Sequence, residues 1–173
     1  VPVKKYMSVV GVSAALGLAS PMAAADLNLP VATRVISFLQ PAPSGTIAAA
    51  IIYEPGNAAS EAEAASIEHG GILVAGKGTL RLKRVAANAL GGLAGVHVAF
   101  VTTGLREAQG QIAAAAARQS ILTITSDVGC VEAGHCVVAI SSSPRVQITV
   151  SRAASKAANI QFGSAFLMLV KEI

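Results

Sequence analysis

The chain has 173 residues, 53% of them hydrophobic and only 13% charged, with a formal net charge of +4. That length suits a leader followed by one ordinary domain, large enough to bury a core without metals or many disulfides. No cluster of Arg and Lys is interleaved with aromatics, which argues against nucleic acid as a partner.

The first residues read as an export signal. Lys4 and Lys5 form a short positive region, Ser8 to Ala19 is an apolar run, and Pro21 breaks it. Ala23-Ala24-Ala25 then offers a small-residue cleavage site between Ala25 and Asp26. This is the layout of a secretory signal peptide over residues 1–25. A membrane anchor is the competing reading, but a spanning helix needs roughly 20 apolar residues and this run is shorter. No later segment approaches that length without a charge or a turn residue, so no stable membrane insertion of the mature chain is expected. Loss of Lys4 and Lys5 lowers the formal charge from +4 to +2.

In the mature chain, Val31 to Leu39 has the spacing of a short helix, stopped by Pro41 and Pro43. Thr46 to Tyr53 is a nearly unbroken apolar run, the pattern of a strand buried on both faces. Glu54-Pro55-Gly56-Asn57 is a turn, and the Ala- and Glu-rich stretch from Ala58 to Ile67 is expected to be helical up to Gly70 and Gly71. Ile72 to Lys77 is ambiguous. Leu80, Leu82 and Val85 alternate with Arg81, Lys83 and Arg84 as in a strand with one wet face.

Ala86 to Leu93 reads as a short helix or loop, Val96 to Thr102 as a buried strand and Leu105 to Gln119 as a helix. Ser120 to Thr125 is a strand, and Asp127 and Gly129 form its exit turn. Val137 to Ile140 and Val146 to Val150 fit a hairpin with Pro144 in its connection. Ser151 suits the cap of a helix reaching Ala158. Gln161 to Ile173 carries Phe162, Phe166, Leu167, Met168 and Val170 and is expected to be a final, well-buried helix or helix-like segment. Strands alternating with helices predict a single α/β domain over residues 26–173. Its sheet should be mixed but mostly parallel and flanked by helices, with a C-terminal hairpin and helices.

The chemical inventory is sparse. There is no G-x-S-x-G elbow and no H-E-x-x-H. Gly76-Lys77-Gly78-Thr79 lacks the earlier glycine of a phosphate loop, and Gly91-Gly92-x-x-Gly95 lacks the strand and helix of a dinucleotide fingerprint. His69 belongs at a helix end, His97 on a sheet face, and Asp127 in a turn. Catalysis would need the fold to bring together Asp127, His97, His135 and Ser126; no catalytic residue, cofactor site or metal site is assigned. Cys130 and Cys136 lie in one short loop, and in an exported protein such a pair is expected to form a disulfide pinning a hairpin-like turn. His135 beside Cys136 lacks the further ligand that a metal would need.

From Leu93 onward the chain resembles the YfiR/HmsC-like family of small periplasmic proteins. The segments LAGVHVAFVT, ILTITSDVGCVEAGHCVVAI and PRVQITVSRAASKAANIQFGSAFLMLVKEI follow the order of that family's motifs. Val150-Ser151 stands for its Ile-Asn step, Ala153 and Ala154 for its small residues, and Ile160 to Phe162 with Ser164 to Leu169 for its closing segment. Two departures are plain. The segment from Val31 to Leu39 matches the family's aromatic-rich first helix loosely, and no cysteine stands near Val96 to form a second disulfide. The resemblance implies a periplasmic regulatory protein rather than an enzyme, binding the periplasmic part of an inner-membrane diguanylate cyclase. Holding that cyclase inactive limits cyclic-di-GMP and biofilm formation. The resemblance also implies a homodimer. A periplasmic small-ligand binding protein is the alternative that the α/β pattern itself suggests.

Overall fold

The computed structural model describes residues 26–173, so the expected leader and its cleavage site at Ala25 lie outside the described residues. In chain order the elements are α1 (Leu29–Ser37), β1 (Ser44–Tyr53), α2 (Ala58–Glu68), β2 (Val74–Ala75), β3 (Lys77–Ala86), a 3-10 turn (Leu90–Leu93) and β4 (Val98–Val101). They continue with α3 (Gln109–Gln119), β5 (Leu122–Thr125), α4 (Val128–Glu132), β6 (Val138–Ser141), β7 (Gln147–Val150), α5 (Arg152–Ala157), α6 (Ser164–Leu167) and β8 (Lys171–Glu172). All eight strands form one sheet in the order β2-β3-β1-β4-β5-β6-β7-β8. The centre, β3-β1-β4-β5-β6, is parallel, while β2 and β7 run antiparallel to β3 and β6. The expected single α/β domain with a mixed, mostly parallel sheet is therefore the fold found.

Local chemistry accounts for the starts of α1, α2, α4 and α5. Asn28, Asn57, Asp127 and Ser151 each accept a backbone N–H of the helix that follows, satisfying a donor that has no partner within the helix. Two cores fill the two faces. Helices α1, α2 and α6 cover one face, through Ile36, Ile67 and Phe166 against Ile51, Phe100 and Ile124, and α5 adds Ala154 to this core while also packing against α3. The 3-10 turn, α3 and α4 cover the other through Leu93, Ile112 and Val131 against Ile52, Val101 and Ala139. Strands β4 and β5 are buried at every position, as expected of strands sandwiched between helices.

Several expectations are corrected. Strand β1 is buried or half-buried from Ile47 to Tyr53, as expected, but Thr46 and the two residues that extend the strand before it, Ser44 and Gly45, are exposed. Helix α3 begins at Gln109, not Leu105, since Gly104 holds φ at +83° and residues 105–108 form a separate turn. The cysteine segment is not a hairpin-like turn but the short helix α4, with Cys130 inside it and Cys136 just before β6. The last segment is not a long buried helix: α6 is a single turn, and Met168 and Leu169 are 86% and 80% exposed ahead of β8. Its aromatic half does enter the core, where Phe166 stacks on Phe38 and lies 5.0 Å from Phe162. The ambiguous stretch before Lys77 is an edge strand, β2, joined to β3 by a turn at Gly76.

Candidate functional site

The sheet reverses its winding between β1 and β4: from β1 the chain crosses through α2 to β3 on one side, and β4 then lies on the other. In open α/β sheets such a switch point leaves a crevice beyond the carboxyl ends of the strands. Here a crevice of about 640 Å³ opens there, bounded by Glu54, Asn88, Gly104, Arg106, Glu107 and Gln111. Gly104 suits its wall because φ there is +83°, a conformation that residues with a side chain rarely adopt, and a Cβ would also meet Asn57 Nδ2 at 2.6 Å.

A buried acid lies at the same end of the sheet. Glu63 of α2 is only 1% exposed. Its carboxylate accepts the Thr103 backbone N–H at 2.6 Å and the Ser126 hydroxyl at 2.8 Å. Burial raises its pKa above the usual carboxylate range, and the two hydrogen bonds offset part of that rise. One side chain thus ties α2 to the loops that leave β4 and β5. A second tie runs beside it. The Thr102 hydroxyl donates to Ile52 O at 2.9 Å and so leaves the Ser60 hydroxyl to donate to Thr102 Oγ1 at 2.7 Å. Ser60 Oγ in turn accepts from Glu54 N–H at 2.8 Å. Asp127 Oδ1 accepts from Gly129 N–H and its Oδ2 from Gln109 Nε2, both at 3.0 Å. These bonds hold loops in place; the one that joins a hydroxyl to a carboxylate, Ser126 to Glu63, is on an acid only 1% exposed.

The groups that catalysis would need are not brought together. Ser126 and Asp127 follow β5 at the carboxyl end, whereas His97 precedes β4 at the amino end and is exposed. His135 sits in the α4–β6 connection beside a small cavity shared with Ala117 and Ala154. His69 terminates α2, its Nδ1 2.6 Å from Ala65 O. Gly76 and Lys77 turn β2 into β3, and Gly91 and Gly92 lie in the 3-10 turn. Among the described residues, no three His, Cys, Asp or Glu side chains are grouped to hold a metal ion. Cys130 and Cys136 are joined in a disulfide, with Cα atoms 5.3 Å apart.

Sequence reasoning missed Glu63. In an Ala- and Glu-rich helix it looks like a solvated charge, as Glu61 and Glu68 are. Its position on the same side as Ala64 and Ile67 was the available signal.

No curated protein matches this chain in sequence. Solved structures share its fold. A conserved domain protein from Vibrio cholerae O1 biovar eltor matches with a TM-score of 0.58 at 11% identity, over 83% of this chain and 58% of that one. The ligand-free, open structure of a substrate-binding protein with adhesive properties from Clostridium difficile matches with a TM-score of 0.59 at 12% identity, over 84% of this chain and 58% of that one. The chain thus spans less than two thirds of each neighbour's length. In sequence, the segment from the middle of β1 to β8, residues 51–171, matches the model of a single family, and the chain belongs to the YfiR/HmsC-like family.

Proposed function

We propose that this protein is exported by residues 1–25, cleaved between Ala25 and Asp26, and acts in the periplasm as the repressing partner of an inner-membrane diguanylate cyclase. The family match over residues 51–171 carries this reading. Two features support it. The polar groups at the carboxyl end are spent on holding loops, and the Cys130–Cys136 bond suits an oxidising compartment. Repression by binding requires a surface that the cyclase's periplasmic part can cover, not a reactive group. A homodimer belongs to the same reading. Deletion of the gene is expected to raise cellular cyclic-di-GMP and surface attachment; unchanged levels of both would overturn it.

A second reading rests on the crevice at the switch point, where open α/β sheets take ligands. The similarity to a substrate-binding protein in its open form favours it as well. A periplasmic small-ligand binding protein would show a thermal shift with a polar metabolite, and Gly104→Leu, which obstructs the wall, would abolish that shift.

A further inference from the structure

Among the described residues, one part of the sheet has no helix over it. On the face where the 3-10 turn, α3 and α4 cover the other strands, the amino half of β1, most of β3 and all of β2 lie bare. Lys77, Thr79, Arg81 and Lys83 alternate along β3 on this side and are all exposed. Register places Ser44 and Thr46 of β1 beside Lys77 and Thr79, and both are exposed too. His97, bonded through its N–H to Ala48 O, borders the area. Val74 lies opposite Thr79, so it and Ile72, two residues earlier, share this side at the sheet's rim. They are 55% and 85% exposed.

The charge of this face has one sign. Residues 27–53 and 70–106 contain no Asp or Glu, so β1, β2, β3 and β4 carry none. Glu68, which pairs with Arg84 at 2.7 Å, belongs to α2 on the opposite face. Lys77, Arg81 and Lys83 make no ion pair among the described residues.

We propose that this bare face docks on an anionic phospholipid surface. The cations are single, unpaired and on long flexible stems, spaced along a strand. That arrangement suits a diffuse layer of phosphates better than the fixed acceptors of a folded acidic partner. Ile72 and Val74 at the rim supply apolar side chains that enter the headgroup boundary beside those cations. A second copy of the chain is a poor occupant, since face-to-face contact would set Lys77, Arg81 and Lys83 against their own like charges. The inference rests on the periplasmic reading only for which membrane is met; it places the repressor flat on the bilayer that holds its partner.

The test uses residues 26–173, which contain the whole core described above, in co-sedimentation with vesicles. Phosphatidylglycerol–phosphatidylcholine vesicles are compared with phosphatidylcholine alone. Binding is expected to the anionic vesicles only, and to be released by salt. Arg81→Gln with Lys83→Gln is expected to weaken it about 25-fold, roughly five-fold per charge. Ile72→Ser with Val74→Ser is expected to weaken it while leaving the salt dependence. No binding to anionic vesicles, equal binding to neutral ones, or an undiminished Arg81/Lys83 variant would overturn the proposal. So would loss of repression in that variant without any vesicle binding, which would assign the face to an acidic protein instead. Vesicle binding is read without any cyclase, so it stands or fails separately from the deletion experiment.

Discussion

The two halves of one sheet face share the parallel pairing of β3, β1, β4 and β5 and yet differ in cover and in charge. Over β4 and β5 each position is buried, because α3 and α4 close the side that α1, α2 and α6 leave open. Over β2 and β3 only the α1–α2 side is closed, and the other carries Lys77, Arg81 and Lys83 to solvent. Strand β1 passes from one regime to the other along its own length: Thr46 is exposed and Ile52 is buried on the same side. The pairing geometry is shared, so the difference comes from cover. The covered half supplies stability, and the bare half is free to carry function at little cost to the fold.

Phe100→Ala, in the covered centre, should break this contrast most visibly. It removes a fully buried ring and is expected to lower unfolding stability by about 3–5 kcal/mol in equilibrium denaturation. Replacing both Cys130 and Cys136 by Ser is expected to cost about 2 kcal/mol, since the bond closes a loop with a sequence separation of only 6. Thiol labelling of unfolded, non-reduced protein should find no free cysteine.

Glu63 separates two effects. Glu63→Ala leaves the Thr103 N–H and the Ser126 hydroxyl without their acceptor and is expected to cost about 1–3 kcal/mol. Glu63→Gln keeps an acceptor and removes the buried charge. Because the folded pKa of Glu63 is raised above 4.5, its favourable contribution is complete below that value and lost as pH rises through the folded pKa. Stability of the parent should therefore fall with rising pH across that window. The Gln variant should lack this slope and be the more stable of the two at neutral pH, as followed by denaturant midpoints. The smallest effects belong to the bare half: Thr79→Ala and Lys83→Ala are expected to stay within about 0.5 kcal/mol of the parent. A large loss at either would mean that something within the chain covers this face.

Much of the fold was legible because its signals are local. The apolar runs at β1, β4 and β5, the Ser151 cap and the Pro144 connection fall where pattern and turn chemistry place them. The alternation of Leu80 and Leu82 with Arg81 and Lys83 also identified a strand with one wet face, and those two cations are exposed. The errors fell where a local pattern fits two answers. The apolar residues after Phe162 suit a buried helix equally well, but only Phe166 is fully buried, stacked on Phe38 at the end of α1; Leu167 and Val170 are half-buried against the core, and Met168 and Leu169 are exposed. The cysteine segment suited a hairpin until Asp127 capped a helix there.

By itself the sequence determined the element order, the α/β class and the motif series that marks the family, because each depends on neighbours within a few residues. Tertiary structure alone decided which strand faces are covered and which polar groups meet. Glu63 is a surface-like glutamate in sequence; it becomes a buried tie because Ser126, 63 residues away, is carried to it by the pairing of β5 against β4. Lys77, Arg81 and Lys83 are ordinary charges in sequence. They become one unopposed face because, among the described residues, no helix crosses that corner of the sheet. Both outcomes are set by long-range packing, which no window along the chain contains.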